Sequence, residues 1–190
     1  MRLVVVDYSH LKSCLVRDQT QVFPTGEEIM QQVGPECVIW VTMDALAAYF
    51  QIDVAESNMY KTTSMLNQGR YHFCKEVMGN RLSSHSWLKV SDKVIKGLPG
   101  VFKLVDDLLI GGHNYKELAE RVEGLLIRCR RASRTLASNK VQVGKKVPFA
   151  GYVIEGSTQY ADPQKVEAIT KFPILICQRE LWAGWVYATN

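Results

Sequence analysis

Apolar residues recur along the chain with the periods of strands and helices. Short apolar or alternating runs that are bounded by turn residues predict strands, and several of these runs are rich in β-branched and aromatic side chains. The predicted strands lie at residues 3–6, 37–43, 101–110 and 149–154, with a further strand around Val141 and extended segments over residues 57–77 that suit a hairpin around residues 67–70.

Four segments carry helix signals instead. Thr25 and Glu28 have the spacing of a capping box, and Asp162 followed by Pro163 is a typical helix start. The clearest helix has an apolar face formed by Leu118, Val122, Leu125 and Cys129. The predicted helices are residues 25–33, 83–95, 116–131 and a segment that begins at 162.

Aspartates interrupt or follow two of the apolar strands. Asp106 and Asp107 lie within the run at 101–110, which predicts a β-hairpin with both at its turn, and Asp44 directly follows the run at 37–43. Like charges within an apolar run cost free energy unless a cation compensates them, and three carboxylates suit Mg²⁺ or Mn²⁺. For the pair taken alone, the other interpretation is an ordinary exposed turn.

The composition is that of a globular protein, with 47% apolar and 22% charged side chains in 190 residues, enough for one domain with a hydrophobic core. No apolar run approaches the roughly 20 residues that span a bilayer, and the N-terminus lacks a secretory signal. We therefore expect an intracellular protein, in the cytoplasm or nucleus, with no membrane partner. The five cysteines are scattered without zinc spacing, which indicates reduced, packed thiols.

Positive charge is concentrated between residues 124 and 154, where no acidic residue occurs, although the formal net charge of the chain is only +4. The cations of this segment are Arg128, Arg130, Arg131, Arg134, Lys140, Lys145 and Lys146. This asymmetry favours a polyanionic partner, so we expect the four arginines to contact a nucleic-acid backbone. The alternative is a solvated basic face.

The ordered set of motifs resembles the reverse transcriptases of gypsy-type long terminal repeat retrotransposons over residues 2–173. Residues 44–52 (DALAAYFQI) and 104–107 (LVDD) are similar to the first and third palm motifs of that family. Residues 69–73 (GRYHF) and 77–79 (VMG) are similar to the stretch that leads into the second motif. Further similarity lies in residues 6–12 (VDYSHLK), 149–154 (FAGYVI) and 162–169 (DPQKVEAI).

The resemblance implies an RNA-directed DNA polymerase whose Asp44, Asp106 and Asp107 hold two Mg²⁺ or Mn²⁺ ions. One ion would activate the primer 3′-hydroxyl, and the other would hold the triphosphate and stabilise pyrophosphate. Lys140 matches a basic residue of the fourth motif that protonates pyrophosphate or contacts phosphate; an ordinary surface lysine is the alternative. The implied partners are an RNA or DNA template with its primer and deoxynucleoside triphosphates, and the oligomeric state is not predicted.

The resemblance also implies a nucleotide site and a grip on the primer. Tyr49 matches an aromatic residue that excludes a ribose 2′-hydroxyl, and Met78 and Gly79 match the dipeptide beneath the incoming nucleotide. Arg2 would match a triphosphate-binding arginine. Core packing is the alternative for Tyr49 and Met78. The segment that grips the primer end is matched by Phe149, Gly151 and Tyr152.

The implied fold is α+β: an antiparallel palm sheet that carries the three aspartates, is backed by helices and is joined to partial fingers. We expect residues 1–173 to form the reverse transcriptase domain and residues 174–190 to form a divergent tail. Because the chain begins within a fingers strand of the family, we expect it to bind nucleic acid but to extend primers poorly or not at all. Two alternatives stay open: a catalytically silent retroelement remnant that at most binds nucleic acid, and a metal-dependent phosphotransferase, for which the sequence has no GxxxxGK loop.

Overall fold

The chain folds into nine strands and five α-helices within residues 25–33 and 36–171, the part that the computed structural model describes. The strands are β1 (Ile39–Asp44), β2 (Ser64–Leu66), β3 (Gly69–Tyr71), β4 (Val101–Leu104), β5 (Asp107–Gly112), β6 (Gln142–Gly144), β7 (Lys146–Phe149), β8 (Tyr152–Glu155) and β9 (Thr158–Ala161). The helices are α1 (Gly26–Gln32), α2 (Glu56–Met59), α3 (Arg81–Ile95), α4 (Tyr115–Arg131) and α5 (Pro163–Thr170). Short 3₁₀ turns occupy Ala48–Gln51, Tyr60–Thr62 and Ser138–Lys140.

The central sheet is antiparallel and has the strand order β4-β5-β1-β6. Strand β1 lies between two neighbours and is buried from Ile39 to Met43, which explains why its sequence is apolar almost without interruption. The remaining strands form the hairpin β2-β3 and the three-stranded antiparallel sheet β7-β8-β9.

Alternate residues of β1 and β5 point to opposite sides of the central sheet, so both of its faces carry apolar side chains. Other elements cover each face. One face packs against α3 and α4 through Ile39, Val41, Met43, Val94, Leu108, Ile110, Leu118, Leu125 and Cys129. The other face packs against β7, β8 and α1 through Ile29, Cys37, Trp40, Leu109, Val147, Phe149 and Ile154. The sheet is therefore held between a helical layer and a smaller sheet.

The structure confirms the predicted α+β class, the four predicted helices and the hairpin around residues 67–70. The prediction of extended structure is wrong for residues 57–62, which belong to α2 and the 3₁₀ turn Tyr60–Thr62. The capping box forms as expected: the Thr25 N–H donates to Glu28 Oε2 (2.8 Å), and the Glu28 N–H donates to Thr25 Oγ1 (3.2 Å). Strand β1 places Asp44 at its end, and β4 and β5 form the predicted hairpin beside it, although only Asp106 lies in the turn because Asp107 pairs with Leu104 and begins β5. The predicted strand at 3–6, residue Arg2 and the tail at 174–190 lie outside the described residues.

The single strand predicted at 149–154 is wrong, since a turn divides it into the ends of β7 and β8. Phe149 pairs with Tyr152, and both residues between them have positive φ, 54° at Ala150 and 82° at Gly151. Positive φ at both central residues is the requirement of a type I′ hairpin turn. The alternating apolar pattern continues through the turn and conceals it.

No described helix has the length and apolar content needed to cross a membrane.

Candidate functional site

Asp44, Asp106 and Asp107 meet at one end of the central sheet. Asp44 is the register partner of Asp107 across β1 and β5, which brings their Cβ atoms to about 4.5–5.5 Å in ordinary antiparallel geometry. The N–H of Ala45 donates to the carbonyl oxygen of Asp106 at 3.0 Å. The sheet therefore brings together the three aspartates that the sequence singled out.

The turn that contains Asp106 has a strained backbone, and a hydrogen bond from α3 stabilises it. Leu104 pairs with Asp107, so the turn consists of Val105 and Asp106, and Val105 has a φ of 54°. This conformation is unfavourable for a β-branched residue and persists only where its surroundings impose it. The buried Trp87 of α3 donates its Nε1–H to the carbonyl oxygen of Val105 at 2.8 Å.

The carboxyl groups at this end of the sheet repel one another. Burial, with added repulsion from Asp106 and Asp44, raises the pKa of Asp107 to about 6. Burial and the nearby charge of Asp44 likewise raise the pKa of Asp106. The protein's own cations leave this negative charge only partly compensated, which is the electrostatic condition that favours binding of a cation.

Lys140 is the cation that contacts Asp44 in this structure. Its ammonium group forms an ion pair with Asp44 Oδ2, and the interaction raises the pKa of Lys140. The pairing follows from the backbone, because the N–H of Ala137 donates to the Asp44 carbonyl oxygen at 2.8 Å and Lys140 ends the next 3₁₀ turn. The Asp44 side chain is 14% exposed, whereas that of Lys140 is 63% exposed.

The three aspartates fit Mg²⁺ or Mn²⁺ in donor chemistry, since hard divalent ions take oxygen ligands. As the side chains lie, however, no three acidic, histidine or cysteine residues of the described segments are grouped closely enough to hold a metal ion. Ion binding would therefore require the three carboxylates to move closer together.

A cleft of about 440 Å³ opens beside the aspartates. It lies between the end of the central sheet and the β7-β8 turn. Its lining is Thr42, Met43, Asp44, Asp107, Asn139, Lys140, Gln142, Pro148, Phe149, Ala150, Gly151, Tyr152, Asp162 and Lys165. The cleft thus joins two of the predicted catalytic aspartates to the predicted primer-grip residues Phe149, Gly151 and Tyr152.

Of the predicted nucleotide-binding residues, Arg2 lies outside the described residues, and the cleft lining does not include Tyr49, Met78 or Gly79. Tyr49 is half-buried, packs against the cluster that contains Trp87, and shares a hydrogen bond of 3.1 Å with Ser84 Oγ. Met78 is 44% exposed, and Gly79 has a φ of 85° with open space where a Cβ would stand. Their roles toward a nucleotide stay predictions, because a hydrogen-bonded tyrosine at a core edge also fits the packing interpretation.

The four arginines predicted to contact a nucleic-acid backbone fall into two pairs. Arg128 donates to the Lys96 carbonyl oxygen, just beyond the C-terminus of α3, and Arg134 donates to the Gln51 carbonyl oxygen. Arg130 and Arg131 are exposed at the end of α4. The first pair contributes hydrogen bonds to the fold, and the second pair is presented to solvent.

A buried lysine in strand β4 of the aspartate hairpin was missed by the sequence analysis. The side chain of Lys103 is only 4% exposed, and its Nζ donates to Ser91 Oγ (2.8 Å) and pairs with Asp92. Burial lowers the pKa of Lys103. Trp87 and Lys165 were also missed as site residues, since a tryptophan in a helix and a lysine on a helix surface are both ordinary features. A lysine inside a strand pattern was the one available signal for Lys103.

The chain is similar over most of its length to retroelement polyproteins. It is 26% identical over 173 residues to the retrovirus-related Pol polyprotein from transposon gypsy of Drosophila melanogaster, and 25% identical over 183 residues to that from transposon 297 of the same species. These matches cover 90% and 95% of this chain, but the chain spans only 16% and 17% of the two relatives. No protein-family model matches the chain.

Solved structures with the same fold include the foamy viral protease-reverse transcriptase in complex with an RNA/DNA hybrid, with a TM-score of 0.83 and 14% identity over 96% of this chain and 25% of that chain. Another is the same viral protein in complex with double-stranded DNA, with a TM-score of 0.82 and 14% identity over 96% of this chain and 38% of that chain. At this identity the likeness concerns the fold. Together with the polyprotein matches, it makes this chain a distant homologue, over about 90% of its length, of the Pol polyproteins of gypsy-type retroelements.

Proposed function

We propose that this chain is an RNA-directed DNA polymerase domain that transfers nucleotides to a primer 3′-hydroxyl with the help of two divalent ions. The observation that carries the proposal is the meeting of Asp44, Asp106 and Asp107 at one end of the sheet, next to a cleft of about 440 Å³. The homology to retroelement Pol polyproteins supports the same reaction class.

The aspartates supply the carboxylate oxygens that would hold Mg²⁺ or Mn²⁺. When bound, such ions activate the 3′-hydroxyl and neutralise charge on the triphosphate and leaving pyrophosphate. Asp106 and Asp107 gain most from a cation, because burial and mutual repulsion already disfavour their charged forms. Asp44, held by Lys140, completes the set when its carboxylate is released.

Lys140 would interact with the phosphate groups of the triphosphate or of the pyrophosphate product. Its ammonium group is charged at neutral pH, as that of an ordinary lysine is, and could contact a phosphate or donate a proton to pyrophosphate. Phe149, Gly151 and Tyr152 would hold the primer end against the cleft. Tyr49 would exclude a ribose 2′-hydroxyl and select deoxynucleoside triphosphates.

The nucleotide and template roles extend this proposal. Met78 and Gly79 would lie beneath the incoming nucleotide, where a glycine with positive φ keeps space open near the backbone. The template would be RNA or DNA paired with a primer. The fold-related foamy viral protein has been captured with an RNA/DNA hybrid and with double-stranded DNA, which supports duplex substrates of both kinds.

Primer extension on a homopolymer template, with Mg²⁺ or Mn²⁺, tests the proposal directly. We expect weak extension by the unaltered chain, in line with the poor extension expected from its sequence, and a further loss of at least about 100-fold in Asp106→Asn and Asp44→Asn, the scale expected when reacting groups lose their alignment. Asp53→Asn is the matched control, because Asp53 is an exposed aspartate paired with Lys75. Absence of extension with either ion would contradict the polymerase proposal.

The second candidate is a catalytically silent retroelement remnant that at most binds nucleic acid. The pairing of Asp44 with Lys140 and the open arrangement of the carboxylates favour it. Salt-sensitive binding of a primer-template without any extension, under conditions where the protein is folded, would support this second function.

A further inference from the structure

The first turn of α5 is attached to the β7-β8 turn. The N–H of Asp162 donates to the carbonyl oxygen of Gly151 at 3.0 Å. The Asp162 side chain then caps α5, since its Oδ1 accepts from the Gln164 N–H at 2.9 Å. The start of the helix and the turn that borders the cleft therefore form one connected unit.

This attachment places Lys165 over the turn and into the cleft. Its Nζ and Cδ atoms lie 3.7 and 3.8 Å from the position that a Cβ on Gly151 would occupy. Lys165 lines the same cleft as Asp44, Asp107 and Lys140, and its charge acts on Asp107. Its side chain is exposed, so it can reach a ligand in the cleft.

The two lysines of the cleft have different neighbours. Lys140 is held by Asp44. Lys165 extends from α5 over Gly151. A phosphate next to the β7-β8 turn would find an ammonium group beside a residue without a side chain, which permits close approach.

We propose that Lys165 is a positioning residue that contacts a backbone phosphate of the primer strand near its 3′ end. This inference rests on the proposed polymerase function and adds to it a contact from α5. Phosphate contacts fix the register of a nucleic acid, so Lys165 would help set where the primer end stands relative to the aspartates. The incoming triphosphate is the competing ligand, and the test separates the two.

The first measurement is the salt dependence of primer-template affinity for the full chain. Loss of one phosphate contact should lower the slope of log K against log salt by about 0.9 and weaken binding by about 3- to 10-fold at low salt. We expect this in Lys165→Gln, with recovery in Lys165→Arg. Lys116→Gln, the same change at an exposed lysine of α4, is the control and should leave both quantities unchanged.

The second measurement replaces single primer phosphates near the 3′ end with neutral methylphosphonates. One replacement should weaken binding to the unaltered chain as much as Lys165→Gln does, and should have no added effect in that variant. Additive losses at every position, an unchanged Lys165→Gln, or an equal loss in Lys116→Gln would overturn the inference. So would a Lys165→Gln variant that binds the primer-template normally and loses only triphosphate affinity.

The outcomes distinguish this inference from the function on which it rests. Failure of the unaltered chain to bind any primer-template would overturn the proposed function and the Lys165 contact with it. Normal binding and extension by the unaltered chain, with no effect of Lys165→Gln, would overturn the Lys165 contact alone. Equal thermal midpoints of the variants verify that each protein is folded.

Discussion

The carboxyl group of Asp107 lies beside two others of the same charge. Its pKa of about 6 exceeds the ordinary 3.8, so the folded protein binds this proton more tightly than the unfolded chain does. The contribution of Asp107 to stability is therefore present below about pH 4 and is lost as the pH rises to about 6.

Replacing Asp107 by Asn should remove that part of the pH dependence. In metal-free buffer, we expect the urea midpoint of the unaltered protein to fall relative to that of Asp107→Asn between about pH 4 and pH 6. Divalent ions at neutral pH should stabilise the unaltered protein more than the variant. Parallel midpoint curves for the two proteins would show that Asp107 titrates normally.

Lys140 competes with a metal ion for Asp44, since both are cations and its ammonium group contacts the carboxylate that a metal would need. Lys140→Gln should therefore tighten Mn²⁺ binding by about 2- to 5-fold, the effect of losing a partly exposed ion pair. Isothermal titration calorimetry measures the change, with Lys145→Gln as a control at an exposed lysine. Binding should weaken sharply in Asp106→Asn. A loss of Mn²⁺ affinity in Lys140→Gln would mean that the lysine assists the metal site.

At the scale of secondary structure elements, two tryptophan side chains each connect a helix or strand to a turn by one hydrogen bond. Trp87 of α3 donates to the Val105 carbonyl oxygen in the aspartate turn, and Trp40 of β1 donates to the Gly156 carbonyl oxygen in the β8-β9 turn, each at 2.8 Å. Both indoles are buried. Trp87 thus stabilises the turn that contains Asp106, and Trp40 stabilises a turn of the smaller sheet.

Trp87→Phe and Trp40→Phe should each destabilise the fold by about 1–3 kcal/mol, because each leaves a carbonyl oxygen without its donor. Only Trp87→Phe should also weaken Mn²⁺ binding, since the strained conformation of Val105 then loses its restraint. Chemical denaturation and calorimetry on both variants separate the two effects. Equal Mn²⁺ affinity in both would assign Trp87 a purely structural role.

The sequence predicted those elements whose local signals agree with their tertiary environment. The capping box at Thr25 and the apolar stripe of α4 each specify a helix without long-range information. The apolar run that ends at Asp44 predicted a buried strand, and the central place of β1 in the sheet is the reason for its composition. The proximity of Asp44 and Asp107 depends on which strands pair, which local patterns do not specify, and it was expected from the resemblance to the family's palm motifs.

The remaining features depend on tertiary contacts that local patterns do not encode. The turn at Ala150 was hidden because the apolar alternation runs through it. Lys103 is buried because Ser91 and Asp92 of α3 lie opposite β4, which no pattern in either segment indicates. The ion pair between Lys140 and Asp44 joins residues 96 positions apart in sequence, and it depends on how the loop after α4 returns to β1.

In the molecule as a whole, the arginines of the basic segment, residues 124–154, have two different roles. A hydrogen bond from Arg128 connects α4 to the end of α3, and one from Arg134 connects the loop after α4 to the segment that follows Asp44. Gln51 strengthens the second attachment, because its amide nitrogen donates to Leu46 and Thr135 carbonyl oxygens. The concentration of positive charge that suggested a polyanionic partner is thus partly a set of structural hydrogen bonds.

Arg130 and Arg131 are therefore the arginines of this segment that are best placed to bind nucleic acid. The double variant Arg130→Gln, Arg131→Gln should lower the salt slope of primer-template binding by up to about 1.8, which is about 0.9 for each phosphate released, while the thermal midpoint changes little. Arg128→Gln and Arg134→Gln should show the reverse, with a loss of stability of about 0.5–1.5 kcal/mol for each hydrogen-bonded guanidinium and a nearly unchanged slope. Fluorescence anisotropy across a salt series and thermal denaturation on the same preparations measure both quantities. A lower slope in the Arg128 and Arg134 variants with full stability would assign them to the nucleic-acid interface, and an unchanged slope in the double variant would leave the end of α4 as a solvated basic surface.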